Sequence, residues 1–159
     1  MTANSALATF VEPGRGMRVE ARTDSGFHIT FDTDEAGDVP AGPSPMEAVI
    51  AALAACTSMD VASILRKKRQ PAIGYEIAVR GERSDEHPRV YTSIVVEHRV
   101  TGDVDPEALR RSVELSATRY CPGSAMLSAS VRMEHRFHLM RHAQDPTPVS
   151  ASVVVTGPR

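Results

Sequence analysis

An α+β fold, with a mostly antiparallel sheet around one long buried helix, is what this sequence predicts. Three observations predict it. The stretch from Ser44 to Arg66 reads as a single helix that is apolar on nearly every face. The β-like runs on either side of it follow one another as hairpins, not as regular strand–helix–strand units. A second, shorter helix with one apolar face comes after them.

Taken in order, residues 1–5 are a polar terminus. Ala6 to Val11 is a short strand, Glu12-Pro13-Gly14-Arg15-Gly16 a turn, and Met17 to Arg22 a second strand. Phe27, Ile29 and Phe31 alternate with His28, Thr30 and Asp32, the pattern of a half-buried strand. A loop rich in Gly, Pro and Asp runs to Pro43. The long helix then starts sharply. Ser44 suits the N-cap, Pro45 the first helical position, and Glu47 completes a capping box. Arg66-Lys67-Lys68-Arg69 complements the negative end of the helix dipole and Pro71 blocks continuation. The helix so defined, residues 45–68, is about 36 Å long at 1.5 Å per residue. A helix apolar all round must be buried in a core or a subunit interface. The remaining elements cannot cover it, which predicts a homodimer.

Tyr75, Ile77 and Val79 alternate with Glu76, Ala78 and Arg80 as the next strand. Val90 to Val100 is mostly β-branched or aromatic and follows as another. Asp105 N-caps a helix whose apolar face is Leu109, Val113, Ala117 and Tyr120, interrupted by Pro122. Ser124 to Ala129 adds a turn or two of helix. Val131, Met133, His135, Phe137 and Leu139 make a last alternating strand. The expected organisation is a single domain over residues 1–140. The tail, 141–159, is either disordered or an added edge strand.

Composition narrows the function. The net charge of −2 and the 4% aromatic content, with no Trp, argue against a nucleic-acid partner. The longest apolar run, Ala48 to Cys56, falls well short of the ~18 residues of a membrane span, so no membrane partner is expected. No signal peptide opens the chain, and a cytoplasmic location is the default expectation. In that reducing setting two cysteines are free thiols more often than a structural bridge.

Chemistry therefore centres on Cys56 and Cys121. Cys56 sits mid-helix, where the dipole helps little, and burial raises a thiol's pKa; reactivity there needs a cation from elsewhere. The competing reading of Cys56 alone is a small buried hydrophobe. Cys121 precedes Pro122-Gly123-Ser124, a place where a short helix would aim backbone N–H groups at the sulfur. Two such thiols fit an attacking and resolving pair, with a sulfenic acid on one condensing with the other. Asp60, four residues after Cys56 on the same helix face, opposes thiolate formation unless it orients an arginine. His135, His138 and His142 lack metal spacing and read as surface histidines.

The segment Gly42-Pro43-Ser44-Pro45-Met46-Glu47 through Ala51-Ala52-Leu53-Ala54-Ala55-Cys56 resembles the OsmC/Ohr family of osmotically inducible and organic hydroperoxide resistance proteins. The second motif, Ser116-Ala117-Thr118-Arg119-Tyr120-Cys121-Pro122, supports the resemblance, as does the element order. It spans roughly Gly16 to Met140 and is closest to the OsmC-like branch whose helix opens Pro-Met-Glu. The resemblance implies an OsmC-like, intertwined homodimer built on two long central helices. It implies a thiol peroxidase in which Cys56 attacks an organic hydroperoxide and Cys121 resolves the sulfenic acid. A dithiol, such as a protein-bound dihydrolipoyl group, recycles the disulfide, and no metal or other cofactor takes part. The activating arginine of the family comes from the N-terminal strands, with Arg18 first and Arg15 second. One position departs from the pattern: the family's glutamate after the helix-opening proline is Met46 here, and Glu47, one residue on, is the capping-box residue. That departure motivates an alternative, an OsmC-fold protein that binds a small molecule or senses redox state without efficient peroxidase activity.

Overall fold

The computed structural model describes residues 3–11, 16–33 and 39–158. It divides into two compact units, Met1–Val49 and Ile50–Arg159. In the first, strands β1 (Ala6–Phe10), β2 (Val19–Thr23) and β3 (His28–Phe31) form a three-stranded antiparallel sheet in chain order. The register places Phe10, Val19 and Phe31 side by side, with Ala8, Ala21 and Ile29 next to them on the same face. Ala21 is the buried one among them, while Phe10 is 48% and Ile29 43% exposed.

Helix α1 (Pro45–Lys67) starts as its sequence dictates. The Ser44 N–H and hydroxyl both donate to Glu47 Oε2, at 2.8 and 2.7 Å, and Glu47 N–H returns a bond to Ser44 Oγ. The capping box holds the Glu47 carboxyl below its usual pKa, chiefly through the Ser44 side chain. At the other end Arg69 takes the left-handed cap conformation, φ 56°, and Gln70 N–H reaches back to the Leu65 carbonyl. By length and composition alone α1 could cross a membrane. Its stripe of Leu53, Thr57, Val61 and Leu65, one per turn, is instead buried. Val61 and Leu65 pack into a core with Val100, Val104, Leu109, Val113, Phe137 and Leu139. Within the chain only that stripe is buried, and Ala51, Ala52, Ala55, Met59 and Ala62 are exposed.

The second unit is built on a four-stranded sheet in the order β4 (Ala72–Arg83), β5 (Tyr91–Gly102), β6 (Arg132–Met140) and β7 (Val149–Thr156). β4–β5 and β6–β7 are antiparallel, whereas β5 and β6 run parallel. The parallel pair needs a crossover. α2 (Pro106–Leu115), a π-helical turn (Ser116–Tyr120) and α3 (Pro122–Leu127) supply it. Asp105 N-caps α2 by accepting the Ala108 N–H at 2.7 Å. The tail is the edge strand β7, paired along β6. The outward face of this sheet is solvated and ion-paired, with Arg99 bridging Glu76 and Glu97 and Arg136 on Glu134.

Candidate active site

Cys56 lies beside the buried stripe of α1, next in sequence to Thr57, and is half-buried. Cys121 reaches the same place by a different route. After α2 the chain widens into the π-helical turn, whose closing bond runs from Cys121 N–H to the Ser116 carbonyl at 3.0 Å. Cys121 is then extended, φ −72° and ψ 109°, and N-caps α3: its Sγ accepts the Ser124 N–H at 3.3 Å. It is 2% exposed.

The two thiols meet across Gly123. The Gly123 N–H and the Cys121 thiol both lie close enough to the Cys56 sulfur to act on its titration. A Cβ built on Gly123 would stand 3.7 Å from Cys121 Sγ and 3.8 Å from the Cys56 Cβ. Desolvation pushes the Cys56 thiol pKa up; the Gly123 N–H opposes this, and Cys121 and the Asp60 carboxylate reinforce it. Asp60 therefore acts against the thiolate. It is half-buried and accepts the Ser116 hydroxyl at 3.3 Å; Ser116 in turn is 2.9 Å from the Thr57 hydroxyl. Thr57 and Ser116 are fully buried.

Arg18 Nε bonds Asp32 Oδ2 at 3.3 Å, within the first unit. Asp32 also accepts the Ala41 N–H, the chief reason its carboxyl sits below the usual range. Arg15 lies outside the described residues. Among the described residues, no three His, Cys, Asp or Glu side chains are grouped so as to hold a metal ion.

Sequence reasoning missed two things. One is the Thr57–Ser116–Asp60 joint; its only signal was a pair of hydroxyls on otherwise apolar faces. The other is a buried aromatic cluster. His135, expected at the surface, is fully buried, as is His98. Both point inward because they share strand parity with the core residues Val96, Val100, Met133 and Phe137. Tyr75 Oη is 2.6 Å from His98 Nδ1, and the His98 ring stacks 6.2 Å from that of His135. Burial lowers the pKa of His98 to about 3 and of His135 to about 4.

Comparisons with known proteins place the fold. The family model described as OsmC-like protein matches residues 35–136. Protein YhfA of Escherichia coli K12 is 37% identical over 126 residues, which are 79% of this chain and 92% of that protein. The crystal structure of an OsmC-like protein from Mycoplasma pneumoniae superposes with a TM-score of 0.75 at 18% identity, covering 88% of this chain and 99% of that one. The organic hydroperoxide resistance protein OhrB of Bacillus subtilis superposes with a TM-score of 0.59 at 20% identity, over 86% and 98%.

Proposed function

Since the chain belongs to the OsmC-like protein family, we propose that it is a thiol-dependent peroxidase of organic hydroperoxides, with Cys56 attacking and Cys121 resolving. The observation that carries this reading is the meeting of the chain's two cysteines at the Gly123 turn. Fold relatives named for organic hydroperoxide resistance support a peroxidase-like role at the level of the family.

The chemistry follows from the thiols. The Cys56 thiolate attacks the terminal peroxide oxygen, the O–O bond breaks, and the alkoxide leaves as alcohol after taking a proton. Cys56 is left as a sulfenic acid. The Cys121 sulfur attacks it, water departs, and a disulfide joins the two residues. A dithiol, such as a protein-bound dihydrolipoyl group, then reduces the disulfide and is itself oxidised to a cyclic disulfide. Gly123 N–H favours the attacking thiolate, whereas burial and Asp60 disfavour it, so turnover calls for an added cation. Arg18, then Arg15, are the proposed donors, and Arg18→Ala, assayed by Cys56 alkylation rate, tests the first. We place the protein in a reducing compartment, the cytoplasm.

The proposal includes a homodimer. The exposed small-residue face of α1, with Met59 73% exposed, is the surface a second copy would cover. Sedimentation as a monomer at micromolar concentration would refute it. For the activity, Cys56→Ser is expected to abolish turnover of cumene hydroperoxide with a dithiol reductant, and unchanged turnover would sink the assignment.

Two observations favour a second reading, in which the same fold binds a small molecule or senses redox state. The Cys56 environment holds the thiol protonated, and Met46 stands where the family's acidic partner is expected. A stoichiometric bound molecule in native mass spectra, with no hydroperoxide consumed, would select it.

A further inference from the structure

We propose that Ser116 is the positioning residue that keeps Cys121 within bonding reach of Cys56, and that its hold decides whether oxidised Cys56 closes into a disulfide or over-oxidises. The proposal deepens the two-thiol reading above and rests on it.

Ser116 has two handholds. Its hydroxyl is tied to α1 on both sides of one helical turn: 2.9 Å from Thr57 Oγ1, directly after Cys56, and 3.3 Å from Asp60 Oδ2. The bond to a carboxylate is the stronger of the two when Ser116 donates to Asp60, which leaves Thr57 to donate to Ser116. Its carbonyl accepts the Cys121 N–H at 3.0 Å, the bond that closes the π-helical turn. One residue therefore joins the side chains of the α1 turn after Cys56 to the backbone of Cys121. Single-turn π segments are frequent at functional sites, and this one changes the chain's direction just where Cys121 must leave the helix to cap α3. The joint is fully buried at Thr57 and Ser116, so water does not replace a lost hydroxyl there without cost.

The competition it governs is between two fates of one intermediate. Cys56–SOH and Cys121–SH give a disulfide and water. Cys56–SOH and a second hydroperoxide give a sulfinic acid and an alcohol. The first is intramolecular and depends on the reacting sulfurs being held in line; a displacement of about 1 Å costs on the order of 100-fold. The second does not depend on Cys121. Loosening Ser116 therefore shifts the partition toward sulfinic acid.

The test uses the full-length protein and three variants: Ser116→Ala and Thr57→Val, which each remove one hydroxyl, and Thr57→Ser, which keeps it. Intact mass is followed after stepwise cumene hydroperoxide. Wild type and Thr57→Ser are expected to lose two hydrogens, while the two hydroxyl-less variants gain two oxygens, with the ratio of closure to first-step rate lowered about tenfold or more. A second arm bypasses the peroxide. Glutathione disulfide forms a mixed disulfide on Cys56 and releases one glutathione; Cys121 then displaces the other. Closure is timed by release of that second glutathione. Slow closure in the hydroxyl-less variants in this arm, with no reaction toward hydroperoxide in any protein, would uphold Ser116 and overturn the peroxidase reading. Closure as fast as wild type in Ser116→Ala and Thr57→Val in both arms would overturn the proposal and leave the peroxidase reading in place. Closure as slow in Thr57→Ser as in Thr57→Val would overturn it too.

Discussion

The core of the larger unit holds two polar clusters of opposite character. At the cysteines, Thr57, Ser116 and Asp60 form a joint in which each side chain has a partner within 3.3 Å. Further along the sheet, Tyr75, His98 and His135 share a single side-chain hydrogen bond, Tyr75 Oη to His98 Nδ1. His98 Nε2 and both ring nitrogens of His135 are buried without a partner among the described residues. The first cluster fixes geometry between two elements that carry chemistry. The second is a burden on stability, since a buried polar atom left unpaired costs about 1–3 kcal/mol. The contrast teaches that polar burial here has two uses, and pH separates them.

The largest effect expected from the contrast is acid sensitivity. Both histidines have folded pKa values below the ordinary 6.5, at about 3 and about 4. Between those values and 6.5 the unfolded chain binds protons that the folded chain refuses. Stability therefore falls as pH drops below 6.5, by up to about 1.4 kcal/mol per pH unit for each histidine. From pH 7 to pH 5 the two together give a loss on the order of 3 kcal/mol, read from denaturant midpoints. Glu134, held down to about 2 chiefly by Arg136, loses its own contribution only below its unfolded pKa near 4, so the windows are distinct. His135→Leu should roughly halve the slope between pH 6 and pH 5. A flat profile in the wild type would break the contrast, because it would mean the histidines are not held neutral.

Tyr75→Phe comes next. It strips His98 of its one side-chain partner and leaves a fourth ring nitrogen, His98 Nδ1, unsatisfied, so it should cost about 1–3 kcal/mol at pH 7 without touching Cys56 alkylation. A loss of stability together with a change in thiol reactivity would show that the two clusters act as one.

How much of this was legible in the sequence differs by element. The start of α1 was fully readable because Ser44, Pro45 and Glu47 form a local code, and the structure forms the bonds that code implies. Asp105, the alternation in β4 and β6, and the β-branched run of β5 were readable from local sequence as well. The parallel pairing of β5 with β6 was not, since strand direction is set by the crossover and not by side-chain alternation. The π-helical turn was read as ordinary helix broken by Pro122; a single widened turn leaves no mark on a 3.6-residue period. Placing Cys56 and Cys121 together was legible through the family resemblance, while the residue that ties them, Ser116, passed as one motif letter. His135 was misread because polar residues on an alternating strand suggest the outer face, yet its neighbours Met133 and Phe137 fix its parity inward.

The smallest expected effect is the sharpest on the joint itself. Asp60 plays two parts there: it accepts the Ser116 hydroxyl, and its charge disfavours the Cys56 thiolate. Asp60→Asn separates them, because the amide oxygen still accepts the hydroxyl while the charge is gone. The apparent pKa of Cys56 alkylation should fall, and the rate at pH 7 should rise by about two- to fivefold, the size expected of a half-exposed charge one helical turn away. Disulfide closure should stay at the wild-type rate, since the Ser116 tie is kept. If closure slowed and the alkylation profile stayed fixed, Asp60 would be holding the joint by its charge alone, and the cluster at the cysteines would owe its geometry to electrostatics and not to the hydroxyl pair.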